Sequence, residues 1–189
     1  GFTVTGLVGA DTASTLTGVS ASTTKKNAGS YTTTAQGTDG NYNLTFADGL
    51  MTIQKANATV TANSATFTYN GDNQNVSGFT VSGLVGGETS AVLTDVTAST
   101  TQKNAGSYVT RASGTDANYN LRFADGTLTI NKAALTVTGN SVTATYNGAE
   151  QSVSGFTVTG LQGADTAGVL TGTTAKGAVA KNAGTYANK

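Results

Sequence analysis

The 189 residues carry 10 Lys and Arg against 10 Asp and Glu, with no run of basic residues, so the electrostatic footprint of a nucleic-acid binder is absent. There is no Cys and no His, and there is one Met; this removes disulfides, thiolate metal sites, Ser-His-Asp and Cys-His nucleophiles and most transition-metal ligand sets. No apolar run approaches the roughly 20 residues of a membrane span.

Only 11% of the residues are charged and 37% are hydrophobic, the charged share being less than half the usual 25% or so. Thr, Ser, Asn, Ala and 25 Gly fill the gap, and Pro is absent. A disordered polar chain carries more charge and Pro and fewer β-branched and aromatic residues. Here Val, Thr, Tyr and Phe recur in short alternating runs, which predicts strands and turns.

The chain repeats itself. Gly1-Phe2-Thr3-Val4-Thr5-Gly6-Leu7-Val8-Gly9 returns as Gly78 to Gly86 and again from Gly155 to Leu161, a spacing of 78 − 1 = 77 and 155 − 78 = 77 residues. Asn27-Ala28-Gly29-Ser30-Tyr31 returns at Asn104 to Tyr108, and at Asn182 to Tyr186 with one residue inserted. A period this long exceeds a solenoid rung, so each copy is expected to have its own small core. The residues divide as 1–54, the C-terminal part of a copy; 55–131, a complete copy; and 132–189, the N-terminal part of the next. The pattern begins in mid-copy and without a signal peptide at Gly1. The chain is therefore expected to be a window on a longer fibre, the rival being completion of the broken ends by strands from neighbouring molecules.

Within a copy the period is two. Ala65, Phe67 and Tyr69 alternate with Thr66 and Thr68; Phe79 and Val81 with Thr80 and Ser82; Tyr119, Leu121 and Phe123 with Asn120 and Arg122; Leu128 and Ile130 with Thr127 and Thr129. This is the pattern of strands with one face buried, and the phased aromatics fall on the core face. Thr suits the wet face, because its branched Cβ favours extended backbone while the hydroxyl stays solvated. Tyr69-Asn70-Gly71-Asp72, Gly114 to Asn118 and Ala124-Asp125-Gly126 read as turns, with Gly or Asn supplying positive φ.

One segment departs from alternation. Asp11-Thr12-Ala13-Ser14-Thr15-Leu16, Glu88 to Leu93 and Asp165 to Leu170 place an acid and a hydroxyl before a small stretch ending in Leu. This predicts a short helix or 3₁₀ turn with the acid or Thr near the N-cap and Leu16, Leu93 and Leu170 in the core; a further short strand is the alternative. The joints, Thr52 to Val60 and Thr129 to Val137, contain no Gly, Pro or Ser spacer and are expected to be semi-rigid.

Taken together, the Tyr-Asn-Gly turn, the Gly-Phe-Thr-Val-x-Gly-Leu-x-Gly run, Asn-Ala-Gly-Ser-Tyr and the closing Thr-Leu-Thr-Ile-Asn-Lys-Ala resemble the MBG/YDG-type repeats. Those occur in tandem in large bacterial exported adhesins and haemagglutinin-like proteins, and the resemblance covers the whole chain. It implies a mostly β protein, a tandem array of small β-grasp-like domains with one short helical turn each. It also implies an extracellular setting in surface or biofilm-matrix fibres, and no catalytic residue. Tyr31, Tyr108 and Tyr186 after Ala-Gly-Ser/Thr suggest a buried tyrosine whose hydroxyl caps a nearby loop, which keeps an Ig-like sandwich open as the alternative fold.

Other chemistry is weak. Gly83-Leu84-Val85-Gly86-Gly87 lacks the Gly-Lys-Ser/Thr of a phosphate loop, being followed by Glu88-Thr89. Asp39, Asp48, Asp116 and Asp125 recur in turns without the Asp-x-Asp-x-Asp run of a Ca²⁺ loop. Lys26, Lys103 and Lys181 stand in register, as do Asp11, Glu88 and Asp165. Lys, acid and Asn form isopeptide crosslinks only in a dry apolar pocket, whereas a Lys beside a Gly turn is expected to be exposed. Asn43, Asn57 and Asn75 open glycosylation patterns that do not survive a shift of one period. No catalytic, cofactor-binding or metal-binding residue is assigned, and no cofactor is expected. The expected function is a structural stalk of rigidly joined, non-enzymatic repeats whose partners are adjacent repeats or other fibre copies. The alternative is a multivalent, low-affinity module for a glycan, a mucin or a neighbouring fibre. An ice-binding Thr array is disfavoured because the Thr-x-Thr runs are short and interrupted.

Overall fold

A computed structural model describes residues 1–188. It is mostly β, with three 3₁₀ turns as the only helical elements among the described residues. The first sequence copy holds β1 (Val19–Ala21), β2 (Gly29–Thr33), β3 (Ala35–Gly37) and β4 (Gly49–Ile53). The middle copy holds β5 (Ala56–Ala62), β6 (Ala65–Thr68), β7 (Gln74–Ser77), β8 (Phe79–Ser82), β9 (Thr97–Gln102), β10 (Gly106–Thr110), β11 (Ala112–Ser113), β12 (Tyr119–Ala124) and β13 (Gly126–Asn131). The last holds β14 (Thr136–Gly139), β15 (Gln151–Val153), β16 (Phe156–Thr159) and β17 (Ala178–Ala180).

The strands form several small sheets. Three have three strands, in the orders β12-β5-β8, β10-β13-β6 and β11-β9-β7; four have two, β1-β3, β2-β4, β14-β16 and β15-β17. A shift of one period maps β2 and β4 onto β10 and β13, so the β2-β4 pair is the middle copy's sheet without its third strand. The same shift maps β14 and β16 onto β5 and β8.

The first and last strands of the middle copy run parallel. Tyr119 lies opposite Ala56 and Ala124 opposite Thr61; Leu128 lies opposite Ala65 and Asn131 opposite Thr68. The offset is the same in both pairs, 119 − 56 = 63 and 128 − 65 = 63 residues. Such pairing needs a long crossover, here the whole interior of the copy. Ala124-Asp125-Gly126 is therefore not the reversing turn that its composition suggests. The chain passes there from one sheet into another, with neither a turn nor a bend at Asp125. Gly126 has an ordinary φ, and glycine is required there by space: a Cβ would lie 2.3 Å from the Asn63 carbonyl oxygen and 2.5 Å from that of Ala62. Among the described residues no non-glycine has positive φ, so Asn does not supply it in the other turns either.

By its contacts the chain divides into two compact units. One comprises Gly1–Thr61, Thr80–Thr97 and Ser113–Ala124; the other comprises Ala62–Phe79, Ala98–Ala112 and the stretch from Asp125 onward. Each unit draws on two successive sequence copies. In the first, Leu16, Ala58, Val60, Leu93, Val96 and Tyr119 are buried. In the second, Val76, Leu128 and Ile130 form a core against which Ala65, Phe67, Tyr69, Ala105 and Tyr108 pack. The alternation read from sequence is visible in β5 and β13, whose inward residues are buried and whose Thr residues are mostly wet. Cores this small leave 12803 Å² accessible, against roughly 8300 Å² for a compact monomer of this mass.

The departing segment is a 3₁₀ turn in all three copies: Ala13–Thr15, Ser90–Val92 and Ala167–Val169, with Thr12, Thr89 and Thr166 as N-caps. Leu16 and Leu93 at the C-caps are buried, whereas Leu170 is half-buried.

Candidate functional site

The acids that repeat with the period each meet a tyrosine, within a copy at Asp11 and Glu88 and from the preceding copy at Asp165. Each copy carries the loop Gly-Leu-x-Gly-x-acid: Gly6 to Asp11, Gly83 to Glu88 and Gly160 to Asp165. The loop closes on itself through backbone hydrogen bonds, from Asp11 N–H to Val8 O, Glu88 N–H to Val85 O and Asp165 N–H to Gln162 O. The acid projecting from it accepts a tyrosine hydroxyl in every copy. Tyr42 donates to Asp11 at 2.5 Å and Tyr119 to Glu88 at 2.6 Å. In return each phenol oxygen accepts a loop amide, from Val8 and Val85 respectively. Asp165 instead receives Tyr69, from the preceding copy, at 2.9 Å.

Two of the four turn aspartates, Asp39 and Asp116, hold Tyr42 and Tyr119 from behind. Asp39 Oδ1 accepts the N–H of Asn41 and Tyr42, and Asp116 Oδ1 those of Asn118 and Tyr119. These carboxylates face their own backbone, which organises the turn before each latch tyrosine.

The hydrogen bond to the acid holds the phenol proton on, so the pKa values of Tyr42, Tyr69 and Tyr119 all lie above the ordinary 10.0. A raised pKa in the folded state means that the contribution is complete below the unfolded value and is lost as pH rises through the folded one. The tyrosinate absorbance titration of the folded chain is expected to extend to higher pH than that of the chain in denaturant, and replacing Tyr42, Tyr69 and Tyr119 by Phe is expected to remove the excess. Coincident titrations of the folded and denatured chain would disprove the latch.

The in-register lysines and asparagines behave differently from a crosslink. Lys26 Nζ reaches Glu88 Oε1 of the next copy at 3.7 Å, but its side chain is 88% exposed. A solvated ammonium is the opposite of the dry pocket that isopeptide chemistry needs, and such an ion pair adds little stability. Asn118 Oδ1 accepts the N–H of Ala28 from the preceding copy at 2.9 Å. Lys55 Nζ, in the two-residue link between β4 and β5, donates to Asp116 O at 2.7 Å. One residue of this link is thus held by a hydrogen bond.

Tyr31, Tyr108 and Tyr186 do cap a loop: their hydroxyls donate to the carbonyls of Asn27, Asn104 and Asn182, four residues back, at 2.8, 3.0 and 3.2 Å. Burial is less complete than expected, half for the first two and only slight for Tyr186. The Gly of Asn-Ala-Gly lies beneath the ring, since a Cβ on Gly29, Gly106 or Gly184 would fall 2.9 to 3.1 Å from the phenol oxygen.

The phased aromatics are not all in the core. Phe46 and Phe123, one period apart, are each 40% exposed; Phe46 lies outside any strand and Phe123 next to the end of β12. Gly83 to Gly87 is loop structure without a basic residue. No group of three or more Asp or Glu comes together among the described residues, and no helix there is long and apolar enough to cross a membrane. The open groove in the last copy, about 600 Å³ and lined by Val142, Tyr146, Val153 and Tyr186 among others, gathers no cluster of charged groups.

The latch tyrosines were the functional signal that sequence reading missed. Their period was visible, but nothing in a linear pattern pairs Asn-Tyr with an acid 31 residues earlier, or Tyr-Asn-Gly with one 96 residues later.

No curated protein and no solved structure matches the chain. The family model described as MBG domain (YGX type) matches residues 1–52 and 58–129 as two tandem copies, the same periodic segments that build these latches and sheets. On that match, the chain belongs to the MBG domain family, YGX type.

Proposed function

We propose that the chain is a load-bearing segment of an extracellular adhesin fibre, a non-enzymatic stalk that holds a functional tip away from a bacterial surface or connects cells in a matrix. The observation that carries this reading is the parallel pairing of the first and last strands of the middle copy. Tension enters a copy at the start of β5 and leaves at the end of β13. β12 lies parallel to β5, and β13 parallel to β6; opposite pulls on the start of the earlier strand and the end of the later one slide the two along each other, so the hydrogen bonds of that pair must break together rather than one by one. Membership in a repeat family of adhesin-like proteins and the two-residue link between β4 and β5, held by Lys55, support the same reading.

Pulling geometry tests it. The chain has no Cys, so introduced cysteines give unique handles. Handles at Gln54→Cys and Asp125→Cys load the β5–β12 pair in shear. Handles at Gln54→Cys and Ala117→Cys grip adjacent ends, since Ala56 and Tyr119 are opposed, and peel it open. Shear is expected to require several-fold higher force at the same pulling speed. Equal forces in the two geometries would remove the mechanical argument.

A second reading has one observation in its favour. Phe46 and Phe123 present a half-exposed ring at the same place in successive copies, which suits weak, multivalent stacking on a glycan. If this operates, Phe46→Ala with Phe123→Ala lowers mucin binding at least tenfold, as expected when avidity is lost. Binding that survives both changes, or is absent from the unaltered protein, leaves the stalk alone.

A further inference from the structure

The Tyr-Asn-Gly turn occurs twice in full, and the two occurrences differ in what surrounds them. At Tyr69-Asn70-Gly71 the turn meets the Gly-Leu-x-Gly-x-acid loop of the following copy. Tyr69 donates its hydroxyl to Asp165 Oδ2 at 2.9 Å. Gly71, with φ +84°, lies so close that a Cβ would fall 2.8 Å from Gly163 Cα and 3.0 Å from the carbonyl of Gln162. A Cβ on Gly163 would in turn fall 3.1 Å from Gly71 Cα and 3.3 Å from Asn70 O. Tyr69 is half-buried and Gly71 buried. At Tyr146-Asn147-Gly148 no such loop is in contact. Tyr146 is 60% exposed, and nothing comes within 4 Å of a Cβ on Gly148. The loops before Asp11 and Glu88 have the same open surroundings, with nothing within 4 Å of Gly9, Gly86 or Gly87. Identical sequence is therefore buried in one place and bare in another, and the difference is whether both halves are present.

We infer that the Tyr-Asn-Gly turn and the Gly-Leu-x-Gly-x-acid loop are the two halves of a docking joint, each turn seating on the loop of the next copy with the acid as acceptor. The partner of this surface is another copy of the same repeat. Two glycines let the backbones approach closely, and the phenol reaches past them to the carboxylate. The charged acceptor makes this a stronger bond than a neutral pair. Within one copy the acid serves a second tyrosine, as Glu88 does with Tyr119. One carboxylate can accept from both sides because its two oxygens offer about four lone-pair sites. The acid thereby couples the closure of its own copy to the docking of the copy before it. Glu88 also reaches Lys26, whereas Lys103 makes no ion pair with Asp165, whose side chain is one methylene shorter.

Amide hydrogen exchange on the full chain tests the joint. Tyr69→Phe keeps the ring and removes only the hydroxyl. It is expected to speed exchange at Asp165 N–H and the neighbouring loop amides by about tenfold, the loss expected for a hydrogen bond to a charged group at a partly exposed site. Gly71→Ala is expected to do the same by forcing the backbones apart. Tyr146→Phe, the same change in an undocked turn, is expected to leave exchange in residues 162–165 unaltered. Unchanged exchange in both Tyr69→Phe and Gly71→Ala, or an equal effect of Tyr146→Phe, overturns the proposal. The joint rests on geometry apart from the stalk reading, and the two fail separately, one in exchange and the other in the force curve.

Discussion

Leu128→Ala is expected to lower stability by about 3 kcal/mol, within the range for a leucine truncated in a tight core. It is read as a lower urea midpoint with an unchanged slope. Leu128 is fully buried and stands on β13, the strand shared between β10 and β6. It faces Tyr108 across the antiparallel pair and Ala65 across the parallel one. Its methyl groups are therefore packed from both flanking strands, and the cavity left behind has little freedom to collapse. In a core of three buried residues, Val76, Leu128 and Ile130, one such loss is a large fraction. Leu50→Ala supplies the contrast, because Leu50 is 72% exposed and surface changes usually stay within about 0.5 kcal/mol. A cost below 1 kcal/mol for Leu128, or equal costs for the two leucines, would show that the core lies elsewhere.

A comparable loss, roughly 2–4 kcal/mol, is expected for Gly114→Ala, from backbone strain and overpacking together. Gly114 has φ +149°, which an L-residue rarely adopts. A Cβ there would lie 2.2 Å from the Asp95 carbonyl oxygen and 2.7 Å from Val96 Cα, atoms of backbone that cannot step aside. Gly37 repeats the arrangement one period earlier, against Gly18 O and Val19 Cα at the same distances. The damage is expected to spread to the Asp116 turn and the Tyr119 latch, which follow directly, and so to faster amide exchange at Val85. Gly40→Ala is the control, since Gly40 has an ordinary φ and nothing within 4 Å of an added Cβ. Thermal unfolding of the two variants separates them; similar melting temperatures would mean that the close approach at Gly114 is unimportant.

Much of the architecture was legible in the order of residues. The period, the strand alternation in Ala65 to Tyr69 and Leu128 to Ile130, the 3₁₀ turn after each acid and the loop-capping role of Tyr31, Tyr108 and Tyr186 are all local. A strand's two faces and a tyrosine reaching four residues back are written into spacing alone. Two of the local readings that erred fall at the same place. Asp125-Gly126 has turn composition, yet Asp125 is neither a turn nor a bend, and Gly126 answers instead to the carbonyls of Ala62 and Asn63, more than 60 residues away. Phe123 alternates like a core residue, yet it stands at the end of its strand where the sheet changes and cover is incomplete.

Period, alternation and composition are properties of neighbours along the chain, and from them alone follow a tandem array of small β domains and the lack of thiol and imidazole groups. Only the tertiary structure decided that the first and last strands of a copy lie parallel, and that each phased acid is the acceptor for a tyrosine. Parallel pairing and latch geometry depend on contacts between residues 31 to 96 positions apart. No local preference specifies such a pair; it is chosen when burial of Leu128, Ile130 and Val60 brings the strands together and leaves the loop acids facing the phenols.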